Sequence, residues 1–333
     1  MSGSPDVPSG EDSLIARYFK PLATDPGAFG LVDDAAIIPA GADDLVVNTD
    51  AIVEGVHYLP DDPPDTIARK ALRVNLSDLA AKGAIPAGFL LTLALRQKDE
   101  AWLAAFARGL GEDATAFGCP LVGGDTVSTP GPVMISVTAW GRVPRGRMVH
   151  RFGARPGDRV MVTGSIGDAA VGLRILQGRA EAGALQGDAA ARDMLVGRYR
   201  VPQPRIPLAI AVRDYATASM DVSDGLAGDL TKLCAASSVS ADITLSHVPI
   251  SSAAGKLVAA GSLELETLIS GGDDYEILCT VPAAQCDSFC AAANVAGIAV
   301  TEIGAIVEGS HAPRFLDGQG RPISLKRLSY SHF

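Results

Sequence analysis

Aspartates with a shared setting are the residues best placed to do chemistry. Asp33, Asp34, Asp50, Asp78, Asp125, Asp221, Asp224, Asp273 and Asp274 lie at the ends of apolar segments or beside glycines. Loop positions next to a conformationally permissive glycine are where folds carry binding groups. Carboxylates are hard oxygen ligands suited to Mg²⁺, which keeps several waters and bridges to substrate phosphates. Acids drawn together from distant segments repel one another unless cations neutralise them. Phosphoryl transfer uses such an arrangement, because it needs positioning and charge neutralisation more than covalent chemistry. Taken singly, Asp78 and Asp125 read equally as caps or turns, positions that Asp favours anyway. Asp221-Val222-Ser223-Asp224-Gly225 is more specific. It sets two carboxylates and a hydroxyl at a strand-to-helix junction, although Asp224 also reads as the cap of the next helix.

The commoner nucleotide signals are absent. Gly255-Lys256 is followed by Leu257, which breaks a Walker A loop. Gly109-Leu110-Gly111-Glu112-Asp113-Ala114 matches the loose dinucleotide pattern but sits inside a helical segment. Gly164-Ser165-Ile166-Gly167 follows a strand; it reads either as a phosphate cradle or as a plain tight turn. No G-x-S-x-G frames a nucleophilic serine. The five cysteines, Cys119, Cys234, Cys279, Cys286 and Cys290, are odd in number and contain no CxxC. They read as buried inert thiols, with a reducing cytoplasm as the expected location.

These residues need elements to hold them. A chain of 333 residues suggests about two domains. It is 47% hydrophobic and 20% charged, an ordinary globular balance. The net charge of -10 argues against nonspecific nucleic-acid binding. No apolar run approaches the roughly 20 residues of a spanning helix, and the polar start, Met1 to Gly10, does not read as a signal peptide. Leu45 to Thr49 reads as a strand ending at Asp50. Pro64 to Gly83 reads as a helix, with Ile67, Leu72, Leu76 and Leu79 as its apolar stripe and Gly83 as its stop. Ala87 to Leu95 is a predicted strand and Glu100 to Phe117 a second helix. A polar, turn-rich stretch from Pro144 to Asp158 marks a boundary. The expected domains are a flexible start at 1–10, an N-terminal α/β domain at 11–150 and a C-terminal α+β domain at 151–333. Gly123-Gly124-Asp125 and Gly271-Gly272-Asp273 each precede a predicted strand, a faint hint of two related halves.

Six segments in order resemble the motif set of thiamine-monophosphate kinases. They are Val32-Asp33-Asp34-Ala35-Ala36, the run from Asn48 to His57, Asn75 to Ala81, Gly123-Gly124-Asp125-Thr126, Asp221 to Leu226, and Gly271 to Glu276. The resemblance runs from about Glu11 to Phe333. It implies ATP-dependent phosphorylation of thiamine monophosphate to thiamine diphosphate. It also implies the two-domain α/β (α+β) fold of aminoimidazole ribonucleotide synthetase, with the N-terminal sheet forming the interface of a homodimer.

Carried residue by residue, the resemblance implies Mg²⁺ ligation by Asp34, Asn48, Thr49, Asp50, Asp78, Asp125, Asp221 and Asp224. Gly124, Asp125, Arg151 and Ser223 match ATP-contacting positions. His57, Asp273 and Tyr330 match positions that contact thiamine monophosphate. Two departures stand out: Val32 replaces the usual Gly before the first acid pair, and Asp273 replaces the usual Glu. The acceptor would itself be a phosphate, already largely ionised near neutral pH, so no strong general base is required. A selenophosphate synthetase would place a reactive Cys near its start, whereas the first here is Cys119. Aminoimidazole ribonucleotide synthetase is the nearer alternative, and a noncatalytic Mg²⁺- or nucleotide-binding scaffold is the alternative of a different class.

Overall fold

The structure, a computed structural model, describes residues 14–26, 38 and 41–325. Asp34 and Tyr330, with Val32 and Asp33, lie outside the described residues. The chain divides into two compact units, one of Met1–Asn75 with Pro86–Arg142, the other of Leu76–Ile85 with Val143–Phe333.

The first unit holds a four-stranded sheet of order β1-β4-β2-β3, with β1 at Asp44–Val53, β2 at Ile85–Leu95, β3 at Leu121–Ser128 and β4 at Met134–Val143. Helix α1 spans Pro64–Ala81 and α2 spans Glu100–Ala116. Pro64 suits the first helical position, where the missing N–H has no intrahelical partner. Asp99 starts α2 by accepting from the N–H groups of Ala101 and Trp102, each at 3.0 Å. The helices lie side by side. A Cβ on Gly109 of α2 would meet Asp65 O of α1 at 2.5 Å. Buried Asp113 of α2 accepts from Arg73 Nε at 2.5 Å and from Arg69 Nη1 at 2.6 Å. Gly83 ends α1 as expected, with φ +72. Its N–H reaches Ala80 O at 3.1 Å, and Ala84 N reaches Leu79 O at 2.9 Å.

The strand pleat sorts residues between two faces. Val46, Ile52, Leu91, Leu93, Ile135 and Val137 are buried, whereas Leu45, Val47, Leu90 and Val127 are exposed. The sheet thus has one covered and one open face. Gly123-Gly124-Asp125 lies inside β3, paired in parallel with β2 through Leu91↔Gly124 and Thr92↔Asp125. It does not precede a strand, so the suggested echo between the two halves is not one of backbone structure.

The second unit holds a seven-stranded sheet of order β11-β10-β7-β9-β5-β8-β6. Its strands are β5 Arg159–Thr163, β6 Ala218–Asp221, β7 Ser240–Thr244, β8 Ile277–Val281, β9 Val300–Val307, β10 Arg314–Leu316 and β11 Pro322–Ile323. All neighbours pair antiparallel except β10 with β7. Both faces are covered, and alternate residues serve separate cores. Val160, Val162, Met220 and Leu278 pack with Leu226, Leu230 and Leu233 of helix α4, Leu226–Ser237. Met161, Ile277 and Cys279 pack with Phe289 and Ala293 of helix α5, Cys286–Val295, and with Ala80 and Ala81 from the end of α1. Helix α3, Asp168–Leu176, follows the Gly164–Gly167 turn. Cys119, Cys234 and Cys279 are buried, and burial pushes the first two thiols up to about 12, whereas Cys286 and Cys290 are only half-buried, so the expectation of buried thiols holds for three of the five.

Candidate functional site

In the first unit, alternation along β1 separates residues adjacent in the motif. Asn48 and Asp50 share the parity of buried Val46 and Ile52, whereas Thr49 shares that of exposed Leu45 and Val47. Thr49 Oγ1 donates to Val137 O at 3.1 Å and pairs with Thr138 Oγ1 at 3.0 Å. Its side chain therefore points away from those of Asn48 and Asp50. Asn75, fully buried on α1, fixes that side of the strand. Its Oδ1 accepts from Asp50 N at 3.1 Å, and its carbonyl accepts from Asn48 Nδ2 at 3.1 Å. Sequence reasoning quoted Asn75 in a motif without assigning it a task; its contacts are long-range and carry no local signal.

Asp125 sits on the open face with Leu90 and Thr92. Gly124 is required by close approach, since a Cβ there would lie 1.9 Å from Leu91 O. His57 closes a turn in which Gly55 N donates to Tyr58 O at 2.8 Å. Its Nδ1 accepts from Val53 N at 3.0 Å, which leaves the neutral ring's proton on Nε2. Buried Lys70 donates to His57 O at 2.8 Å.

In the second unit, two motifs are zipped together by backbone bonds. Val222 N donates to Glu276 O, Tyr275 N to Val222 O and Asp273 N to Ser223 O, all at 2.8 Å. Ser223 and Asp273 are thus neighbours. A Cβ on Gly272 would meet Ser223 O at 2.5 Å, so glycine is needed for the approach. Asp273 and Tyr275 both have left-handed backbones, at φ +73 and +50. That alternation turns Asp273 and Asp274 in different directions. Asp273 is half-buried, whereas Asp274 is fully buried and accepts from Gly167 N at 2.7 Å and Ala169 N at 3.4 Å. The start of α3 is therefore filled by a carboxylate from its own chain, and Asp274 offers no exposed charge. Burial raises its pKa well above the usual carboxylate value, against the pull of the Gly167 bond. Glu276 is buried too, held by Arg198 Nη2 at 2.6 Å, Thr163 Oγ1 at 2.6 Å and Arg205.

Asp224 does not cap α4. The cap position is Gly225, with φ +110, and Asp224 is ion-paired with Lys232 Nζ at 2.5 Å. Buried Asp229 folds back to accept from Ser223 N at 3.0 Å and Asp224 N at 2.9 Å, and it also pairs with Lys232 at 2.8 Å. Asp229 and Lys232 escaped the sequence reading. An acid in a first helical turn is so common that its position alone says little. Asp78, Asp221 and Arg151 all act electrostatically on one ammonium, that of Lys82. Burial lowers the Lys82 pKa, and the two acids oppose that shift.

The donor chemistry fits Mg²⁺: the predicted set supplies hard carboxylate, amide and hydroxyl oxygens. Among the described residues no three His, Cys, Asp or Glu side chains form a group able to hold a metal ion by themselves.

Two domain models account for most of the chain: AIR synthase related protein, N-terminal domain, over residues 32–143, and the corresponding C-terminal domain over 155–315. Fold and site together define an AIR synthase related protein of mixed α/β architecture. The thiamine-monophosphate kinase of Caulobacter vibrioides is 42% identical, covering 98% of this chain and 92% of the relative. That of Escherichia coli K12 is 40% identical over 97% and 98%. The crystal structure of the Stenotrophomonas maltophilia thiamine-monophosphate kinase matches with a TM-score of 0.82 at 36% identity, covering 94% of this chain and 96% of that one. A further structure, AaThiL complexed with AMPPCP and TMP, matches at 0.76 and 30% identity over 92% and 97%. The chain belongs to the thiamine-monophosphate kinase family.

Proposed function

We propose that this chain transfers the terminal phosphoryl group of ATP to thiamine monophosphate, giving thiamine diphosphate and ADP in one in-line displacement. The observation that carries this is the pairing of Ser223 with Asp273. A 2.8 Å backbone bond joins the two, and in this reading Ser223 would contact ATP and Asp273 the acceptor. The relative solved with AMPPCP and TMP supports the choice of both substrates.

Asp50, Asp78, Asp125, Asp221 and Asp224, with Asp34 outside the described residues, would hold Mg²⁺; Asn48 would add a neutral oxygen on the Asp50 side of β1, and Thr49 one on the opposite, open face. When bound, Mg²⁺ supplies charge neutralisation between two phosphates that otherwise repel. Gly124 offers backbone without a side chain in the way, and Arg151 and Ser223 would contact ATP. Asp273 would meet the cationic part of the acceptor, and His57 and Tyr330 would complete its binding. With Nδ1 already engaged, His57 is a binding group and not the base of a relay. The acceptor phosphate attacks in its ionised form.

The open face bearing Leu45, Val47, Leu90 and Val127 supports a homodimer through the first unit's sheet. The division of labour would follow residues 11–150 and 151–333. Among the described residues no helix is long and apolar enough to cross a membrane. The test is turnover with ATP, Mg²⁺ and thiamine monophosphate, separating thiamine diphosphate from free phosphate. Phosphate release without thiamine diphosphate would overturn the assignment. Chiral γ-phosphate should show inversion; net retention would exclude the single displacement.

A further inference from the structure

Lys82 stands four residues after Asp78 and continues the helical spacing, with Lys82 N donating to Asp78 O at 3.0 Å. Residues four apart lie on one helix face. Lys82 Nζ donates to Ser219 O at 2.7 Å. Ser219 precedes Asp221 by two positions on β6, so their side chains share a strand face. That face also carries Ile277 and Cys279, against which Ala80 and Ala81 from the end of α1 pack. Ser219 Oγ is buried there without a hydrogen-bond partner among the described residues. A strand acid, Asp221, and a helix acid, Asp78, both attract the ammonium, while exposed Arg151 opposes it. One of its three donors is fixed on a backbone carbonyl. A lysine tied down in this way is poorly placed to reach out to a phosphate.

We propose that Lys82 is a resident counter-ion, which holds the Asp78 and Asp221 carboxylates in position before a divalent ion arrives and then competes with that ion for them. The inference rests on the assignment of Asp78 and Asp221 as metal-binding residues. A fixed positive charge near two metal-binding carboxylates weakens their hold on a dication by direct repulsion. It also relieves the repulsion between the acids when no ion is bound. Lys82 is therefore a positioning residue.

The test is Mn²⁺ binding to the full-length, nucleotide-free protein, followed by the electron paramagnetic resonance signal of free Mn²⁺. Lys82→Met and Lys82→Gln should each bind Mn²⁺ about tenfold more tightly than the wild type. Lys82→Arg, which keeps the charge, should stay within about twofold of it. Gln keeps a donor for Ser219 O, so it serves even if the Met variant fails to fold. In metal-free buffer the neutral variants should melt below the wild type and recover on addition of Mg²⁺. An unchanged or weaker Mn²⁺ affinity in folded neutral variants would overturn the counter-ion role while leaving the metal assignment standing. Mn²⁺ binding that is undetectable in the wild type, or undiminished in Asp221→Asn, would remove the metal assignment and the counter-ion role together.

Discussion

Gly-Gly-Asp occurs twice at candidate site positions, and the two copies fold differently. At Gly123–Asp125 the tripeptide is strand, in register with β2, and its aspartate stands on the open face of the sheet. At Gly271–Asp273 it is irregular chain, and its aspartate adopts a left-handed backbone. Each copy uses glycine for close approach, but the neighbour differs: Leu91 O for Gly124 and Ser223 O for Gly272. The first copy presents a carboxylate from a rigid ladder. The second presents one carboxylate, Asp273, and buries the next. The same three residues specify a lack of side chain, not a conformation; the surrounding chain decides which backbone they adopt.

The contrast is broken most severely through the glycines. A methyl on Gly124 would overlap Leu91 O at 1.9 Å, whereas on Gly272 it would meet Ser223 O at 2.5 Å. Gly124→Ala should cost about 3 kcal/mol of stability and Gly272→Ala about 1–2 kcal/mol, both measured by urea unfolding. A reversed order would mean that the ladder yields more easily than the irregular segment.

Charge removal at the first copy comes next. Asp125 is exposed, and its Oδ1 accepts from the adjacent Thr126 N, so Asp125→Asn should leave the fold intact. Turnover should fall about a hundredfold or more. Near-wild-type turnover in a Mg²⁺ titration would withdraw Asp125 as a ligand.

At the second copy the expected effect is smaller and falls on one substrate. Asp273→Asn keeps a residue type that tolerates a left-handed backbone while removing the charge. The KM for thiamine monophosphate should rise about tenfold, as loss of a charged contact implies, while the ATP KM stays nearly constant. Asp273→Glu, restoring the usual family residue, should remain active. Equal changes in both KM values would assign Asp273 to holding the turn.

The smallest effect concerns Asp274. Burial raises its pKa in the folded state, so its contribution to stability is fully present below the ordinary carboxylate pKa. That contribution is lost as pH rises through the folded value. Asp274→Asn should flatten this part of the decline in thermal stability between acidic and neutral pH. Parallel melting curves for the two proteins across that range would show that Asp274 does not titrate as the fold implies.

Much of this was legible in the sequence. Pro64, the stripe at Ile67, Leu72, Leu76 and Leu79, and Gly83 defined α1 because a helix's period and stops are written locally. Asp221 to Gly225 stood out because acids at a strand end beside glycine have few structural reasons to gather there. What stayed hidden depends on partners far along the chain. Asn75 matters through a strand some 25 residues earlier, and Lys82 through Ser219, 137 positions away. Nor does the pair Asp273-Asp274 reveal which acid turns inward; the left-handed backbones at Asp273 and Tyr275 decide it.

The buried carboxylate of Asp274 bears on what else can bind this protein. A helix start is a general receptor for anions, because its first N–H groups lack partners. Here the receptor is filled by a ligand tethered to the same chain, whose effective concentration is set by covalent connection and not by dilution in solvent. Free phosphate or a phosphorylated metabolite would have to displace a competitor that never diffuses away. The turn before α3 is thereby withdrawn from the set of places where a phosphate can settle, and a phosphorylated substrate has one fewer unproductive place to bind.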